Sequence, residues 1–136
     1  MGNEAIHHFE NSFVKEGFID SEVEKWEDVK RRDPDSQWYG HSGQTGKKSA
    51  ARTAARILTG ETNLLQTSFS FKPTPHGVLI QNSAPYAAVH QFGLKAKVYG
   101  KKEFQMIARP FMGKSMILKE NIENKIVAEL KKILQP

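Results

Sequence analysis

The sequence predicts an α+β fold. We expect a small antiparallel sheet, a hairpin plus a third strand, with an N-terminal helix, a short inserted helix and a long C-terminal helix. Three patterns carry this expectation. Leu118, Ile122, Ile126, Leu130 and Ile133 recur at helical spacing with Lys and Glu between them. Phe69 and Phe71 alternate with Ser68, Ser70 and Lys72, the period of a half-buried strand. Ile6, Phe9 and Phe13 fall on one face of a further helix.

The first helix is expected to open at Asn3, an N-capping residue type, with Glu4 favoured by the positive end of the helix dipole. Gly17 is its expected stop. The Phe stripe reads as core-facing, with docking on a neighbouring subunit as the alternative. Residues 1–28 then form a helical arm ending near Trp26. Residues 29–56 read as a basic flexible loop. Between Val29 and Ile57 large apolar side chains are nearly absent apart from Trp38 and Tyr39, so burial there cannot offset ordering entropy. Ala and Arg dominate from Ser49 to Leu58, which allows some helix. Trp38 and Tyr39 either stack on a partner or fold back on the body.

Residues 57–136 are denser and read as the compact body of a single domain. A turn at 58–62 opens a short helix at Asn63. The strand at Thr67 to Lys72 is broken by Pro73, Pro75 and His76-Gly77, and Val78 to Gln81 returns as its partner. Pro85 suits a helix start and Gly93 a helix end, which brackets a two-turn inserted helix. Residues 95–102 read as a basic loop and 103–108 as the third strand, ended by Arg109-Pro110. In the last helix Lys131 and Lys132 complement the negative end of the dipole.

Composition narrows the chemistry. The 136 residues contain no cysteine, which excludes disulfides, thiolate zinc sites and a cysteine nucleophile. Hydrophobic residues are only 38%, and mean hydropathy is −0.56, so the core is expected to be small. No apolar run approaches the roughly 20 residues of a membrane span. The first residues lack the features of a secretory signal, and Ile6 stands where a myristoylation motif needs Ser or Thr. Net charge is +5, split into −6 over residues 1–28, +5 over 29–58 and +6 over 59–136. That split points to internal neutralisation or to head-to-tail contact between copies. It also permits polyanion proximity without establishing it.

The five histidines lack metal-ligand spacing: His7 and His8 diverge on a helix, and His41, His76 and His90 lie in separate elements. Gly113-Lys114-Ser115 resembles the end of a phosphate loop, but Ala108 stands where its first glycine belongs. Gly46-Lys47-Lys48 fails similarly at His41 and Lys48. Asp is absent after Asp35, and Glu61 and Glu103 are the only acids between Leu58 and Leu118. We therefore expect no catalytic, metal or cofactor site. A cluster of His90, Arg109 and Glu61 would argue for a small enzyme instead. His90 is expected to bond a backbone carbonyl and pin its helix to the next loop.

Three ordered motifs resemble one family. Leu58-Thr59-Gly60-Glu61-Thr62-Asn63-Leu64-Leu65-Gln66-Thr67-Ser68 resembles the L-T-x-T-G-x-L-R-x-S segment of the phage virion morphogenesis (tail completion) family. Pro85-Tyr86-Ala87-Ala88-Val89-His90-Gln91-Phe92-Gly93 resembles its PYAxxHQFG signature, and Ile107-Ala108-Arg109-Pro110-Phe111-Met112-Gly113 its I-P-A-R-P-F-L-G segment. The likeness covers residues 57–115 well. Gln66 stands where the family often has arginine, Asn63 replaces a more usual glycine, and Ile107 replaces a proline. The motif residues are expected to be structural.

The resemblance implies a non-enzymatic assembly protein of a phage or prophage, acting in tail completion or head–tail joining. It implies host cytoplasm during assembly, then the tail or head–tail junction of the virion. Expected partners are other tail or connector proteins and further copies in a homo-oligomeric ring, with no membrane and no cofactor. Arg31, Arg32, Trp38, Tyr39, Lys47, Lys48, Arg52 and Arg56 are the candidate partner or DNA contacts. The competing reading is a basic nucleic-acid-binding module of a mobile element.

Overall fold

The computed structural model describes residues 1–41, 47–60, 62–98 and 102–135. Of the sequence expectations, Glu61, the 42–46 stretch and the tip of the 95–102 segment lie wholly or partly outside these residues. The fold is α+β. Helix α1 spans Gly2–Lys15, and strands β1 (Gly17–Ile19) and β2 (Val23–Lys25) form a short antiparallel pair. A 3₁₀ turn at Lys30–Arg32 and helix α2 (Ala50–Ala54) follow. Helix α3 (Leu64–Thr67) leads into the hairpin of β3 (Phe69–Thr74) and β4 (Gly77–Asn82). Helix α4 (Ala87–Phe92), the hairpin β5 (Lys95–Val98) and β6 (Lys102–Gln105), and helix α5 (Met116–Leu134) complete the chain.

The third strand does not extend the β3–β4 hairpin. Its residues pair with 95–98, so part of the expected basic loop is a strand, and each described sheet has two strands. A two-stranded ladder exposes both edges, which explains how β3 accommodates Pro73: a missing N–H on an edge breaks no central bond. Pro75 and His76 form the tight turn between the two strands.

The N-terminal helix packs inside the body, with Phe9 and Phe13 of its stripe facing the core. Phe13 has no exposed surface and shares one core with Trp26, Ile57, Leu65, Ala84 and Phe111. Its ring meets Trp26 edge-on at 5.5 Å and lies 5.4 Å from Phe111. A second cluster joins Ala5, Phe9, Phe18 and Leu118. The buried face of α1 includes Gly2, Ala5, His8, Phe9, Ser12 and Phe13; Ile6 sits at its margin. The helix starts after Met1 rather than at Asn3, and its left-handed C-terminal residue is Glu16 rather than Gly17. Gly17 is needed one step later, where an added Cβ would stand 2.6 Å from the Glu24 carbonyl oxygen across the β1–β2 pair.

Helix α5 is where expected, and Ser115 caps it: its hydroxyl accepts from Leu118 N–H and donates 2.6 Å to Ile19 O. Asp20 Oδ1 takes the Met116 N–H, and the His8 ring meets the same Ile19 carbonyl at 2.9 Å. One carbonyl thus joins α1, β1 and the start of α5. Only the first part of the expected α5 stripe is covered, because α5 packs mainly on α1: Leu118 is buried and Ile122 half-buried, whereas Ile126, Leu130 and Ile133 are exposed.

Truncating Phe13 would leave a large void between Trp26 and Phe111. Phe13→Ala is expected to cost about 3–5 kcal/mol. Urea denaturation followed by tryptophan fluorescence measures this, and a loss near zero would place Phe13 outside the cooperative core.

Candidate functional site

Helix α4 is set by its two ends. The Pro85-Tyr86 turn leads in, with Ala87 N–H donating to Ala84 O, and Gly93 leads out in the left-handed conformation at φ 65. A Cβ on Gly93 would lie 2.7 Å from the backbone nitrogen of Ala108, so close approach demands glycine here as well as the backbone angle. The chain leaves for the β5–β6 hairpin, returns where Met106 N–H donates to Leu94 O, and crosses back over α4.

Residues 109–112 form a strap held from two sides. From α4, the Gln91 side-chain oxygen accepts from Phe111 N–H (2.9 Å) and Met112 N–H (3.1 Å), and its amide donates to Met112 O at 2.7 Å. The His90 carbonyl accepts from Arg109 N–H at 2.8 Å. From the β2 side, Trp26 Nε1 donates to Pro110 O at 2.7 Å. The buried Arg109 guanidinium donates to Glu27 O (3.0 Å) and Asp28 O (3.2 Å). Phe111 fills the core between Phe13 and Phe69.

The His90 expectation therefore changes. Its backbone carbonyl pins the next segment, while Gln91 supplies the side-chain clamp. The His90 ring lies edge-on to Tyr86 at 5.8 Å, and its buried Nδ1 has no hydrogen-bond partner. Burial, with the Arg109 charge nearby, holds its pKa below the usual 6.5, and burial does the same to His8. His90 and Arg109 are thus neighbours, while Glu61 lies outside the described residues. Among the described residues, no group of three His, Cys, Asp or Glu is arranged to hold a metal ion.

The 58–68 motif forms a tight turn built on left-handed residues. Leu58, Gly60 and Asn63 all have positive φ, and Thr59 O accepts from Asn63 N–H at 2.8 Å. Asn63 at φ 59 explains the replacement of glycine, since asparagine tolerates this region best among residues with a side chain. Leu64 is exposed and Leu65 is buried in the core. Gln66 Nε2 donates to Glu10 O on α1 at 3.2 Å.

The candidate contact residues separate into two groups. Arg31 donates to the carbonyls of Arg52 (2.8 Å), Ala55 (2.6 Å) and Arg56 (2.6 Å), binding the end of α2, and burial lowers its pKa to about 10. Arg32 makes a two-pronged ion pair with Glu16 (2.8 and 2.6 Å), which holds that carboxylate below its usual range, and meets Asp28 at 2.7 Å; the Val29 N–H (2.7 Å) and then Arg32 hold Asp28 below its usual range. Arg52 donates to Gly60 O at 2.7 Å. Outward lie Trp38, Tyr39, Lys47, Lys48 and Arg56, with Trp38 edge-on to His41 at 5.2 Å. Tyr39 and Lys48 border one shallow depression with Ala50 and Thr53.

Beside the strap is a second surface that sequence reasoning missed. Phe92 is 68% exposed, next to exposed Leu94 and Ile107, above a groove lined by Ile80, Asn82, Ala88 and Met112. The motif marks Phe92 as special but gives no sign of which way it faces.

Residues 28–131 match the model of the phage virion morphogenesis family. The chain belongs to that family. Comparison with curated proteins and with solved structures returns no match. Membership makes this a phage morphogenesis protein, associated with the virion and with other virion proteins. No helix among the described residues is long and apolar enough to cross a membrane.

Two outcomes check the strap. Gln91→Ala removes its clamp on three backbone groups, and a loss of about 2–4 kcal/mol is expected in urea denaturation. A pH effect follows from His8 and His90. Their folded pKa values are lowered, so their contribution is complete above the unfolded value near 6.5 and is lost as pH falls below it. The melting temperature should drop between pH 7.5 and 5.5, and His90→Asn should reduce that slope.

Proposed function

We propose that this phage morphogenesis protein completes the tail and makes it competent to join a filled head, acting as one subunit of a homo-oligomeric ring and without catalysis. The observation that supports this best is where the family motifs lie. Pro85 to Gly93 and Ile107 to Gly113 build a rigid clamp, and the same segments present Phe92 and Ile107 outward. Rigid backbone beneath an exposed apolar face suits a part that docks neighbours. It acts in the host cytoplasm during assembly and stays at the tail end or head–tail junction.

Deleting the gene from its phage or prophage, with complementation from a plasmid, tests this. Lysates lacking the protein should hold separate filled heads and tails by electron microscopy, and the wild-type chain should restore joined particles. Normal virions without the protein would sink the reading.

The exposed Trp38, Tyr39, Lys47 and Lys48 favour a second role, facing the DNA passage or an acidic partner. Replacing Lys47, Lys48 and Arg56 with Gln leaves Arg31 and Arg32 holding the loop. Particle joining should then fall at least several-fold, and DNA binding by the purified wild type should weaken steeply with salt. Unchanged joining and no salt-dependent binding would refute this role.

A further inference from the structure

Strand β4 has one edge without a backbone partner. Its residues Val78, Ile80 and Asn82 stand opposite Pro73, Phe71 and Phe69 of β3. At the base of this hairpin Ser83 N–H donates to Ser68 O at 3.1 Å. In an antiparallel ladder that bond belongs to a bonded pair, so the neighbouring pair 69–82 and then 71–80 and 73–78 exchange no bonds. The N–H and C=O groups of Val78, Ile80 and Asn82 therefore point away from β3. None of them meets a partner among the described residues.

The two edges of the hairpin differ. On β3 the outward row contains Pro73, which has no N–H to offer, and the Phe71 ring rests on Gly2 of α1. Free edges are commonly guarded in this way, by proline, by charge or by a covering element. The β5–β6 hairpin holds Lys95, Lys97 and Lys102 in its sequence. Strand β4 holds neither proline nor charge. The groove of about 490 Å³ touches three successive residues of β4, Ile80, Gln81 and Asn82, and none of β3. Successive strand residues face opposite ways, so a hollow that touches all three follows the open side of the strand. Ala88 and Phe92 of α4 and Met112 of the strap complete it, and no lining residue is charged.

We infer that β4 receives an extended, uncharged segment of another virion protein as an added strand, bonded to the outward backbone groups of Val78, Ile80 and Asn82. Unmet backbone groups at alternate residues are met by an extended main chain. A charged side chain entering the groove would lose water and gain no counter-charge from its lining. A second copy is the poorer occupant, because each described strand already has a partner within its own chain. Family membership places other virion proteins beside this one. The inference rests on the assembly role proposed above and names the mode by which that role engages a partner.

Hydrogen exchange at single-residue resolution tests it on the full chain, free and within particles restored by adding the chain to a lysate that lacks the gene. In the free chain the amides of Val78, Ile80 and Asn82 should exchange rapidly, and in particles they should slow by at least about tenfold. Equal rates in the two states overturn the inference. So does slow exchange in a free chain that sediments as a dimer, which would mean that β4 pairs with β4 of a second copy. Val78→Pro removes one outward N–H and no bond to β3, as Pro73 does directly opposite. Its thermal melt should stay close to that of wild type while particle joining falls several-fold. Val78→Ala, which keeps the N–H, should join normally. A folded Val78→Pro chain that joins as well as wild type overturns the inference, and if that variant does not fold, the exchange rates decide. A wild type that restores no joined particles refutes the assembly role and the inference with it, whereas the other failures refute the inference alone.

Discussion

Four residues, Arg109 to Met112, hold the molecule together because opposite sides compete for their backbone. Gln91 saturates one side with three hydrogen bonds, and Trp26 and Arg109 secure the other. Arg109 is buried and bonded to main-chain carbonyls, with the charges of Glu27 and Asp28 nearby. A buried guanidinium is costly when left unpaired, so segment 27–28 must stay in place once Arg109 is inside. Phe111 then lies against Phe13, and α1 is fixed by the same arrangement.

The sequence made some parts plain because their signals are local. Gly93 at a helix end, the Phe69–Phe71 alternation and the period of α5 all report on a few adjacent residues. Which face is covered is a long-range matter and was not legible. Ile126 and Leu130 have the spacing of core residues, but no described element covers them. Phe71 alternates with Phe69 yet stays outside the core, 40% exposed with its ring resting on Gly2. The third strand pairs with residues 95–98 and not with the β3–β4 hairpin, a choice of partner that no local pattern encodes.

Charge counting misjudged residues 29–56 for a similar reason. A run of basic residues reads as surface, but Arg31 and Arg32 are drawn inward by carbonyls and carboxylates. Internal neutralisation accounts for Glu16 and Asp28, while Glu22, Glu24 and Glu27 remain exposed. The motifs include Gln91 and Arg109 to Phe111 but give no sign of how they engage, since Trp26 and Pro110 are 84 residues apart.

The pairing of α1 with Phe111 and Leu118 also bears on how the chain is made. Helix α1 precedes the strap and α5 in the chain, and has little to pack against until both have emerged. Contacts between such distant segments slow folding and delay it until the later segments are made. Those later segments supply Phe111 and Leu118, so the core closes only once they are made. A chain caught midway leaves Phe9 and Phe13 without the Leu118 and Phe111 that cover them, so apolar core stays in water until the strap and the start of α5 are made.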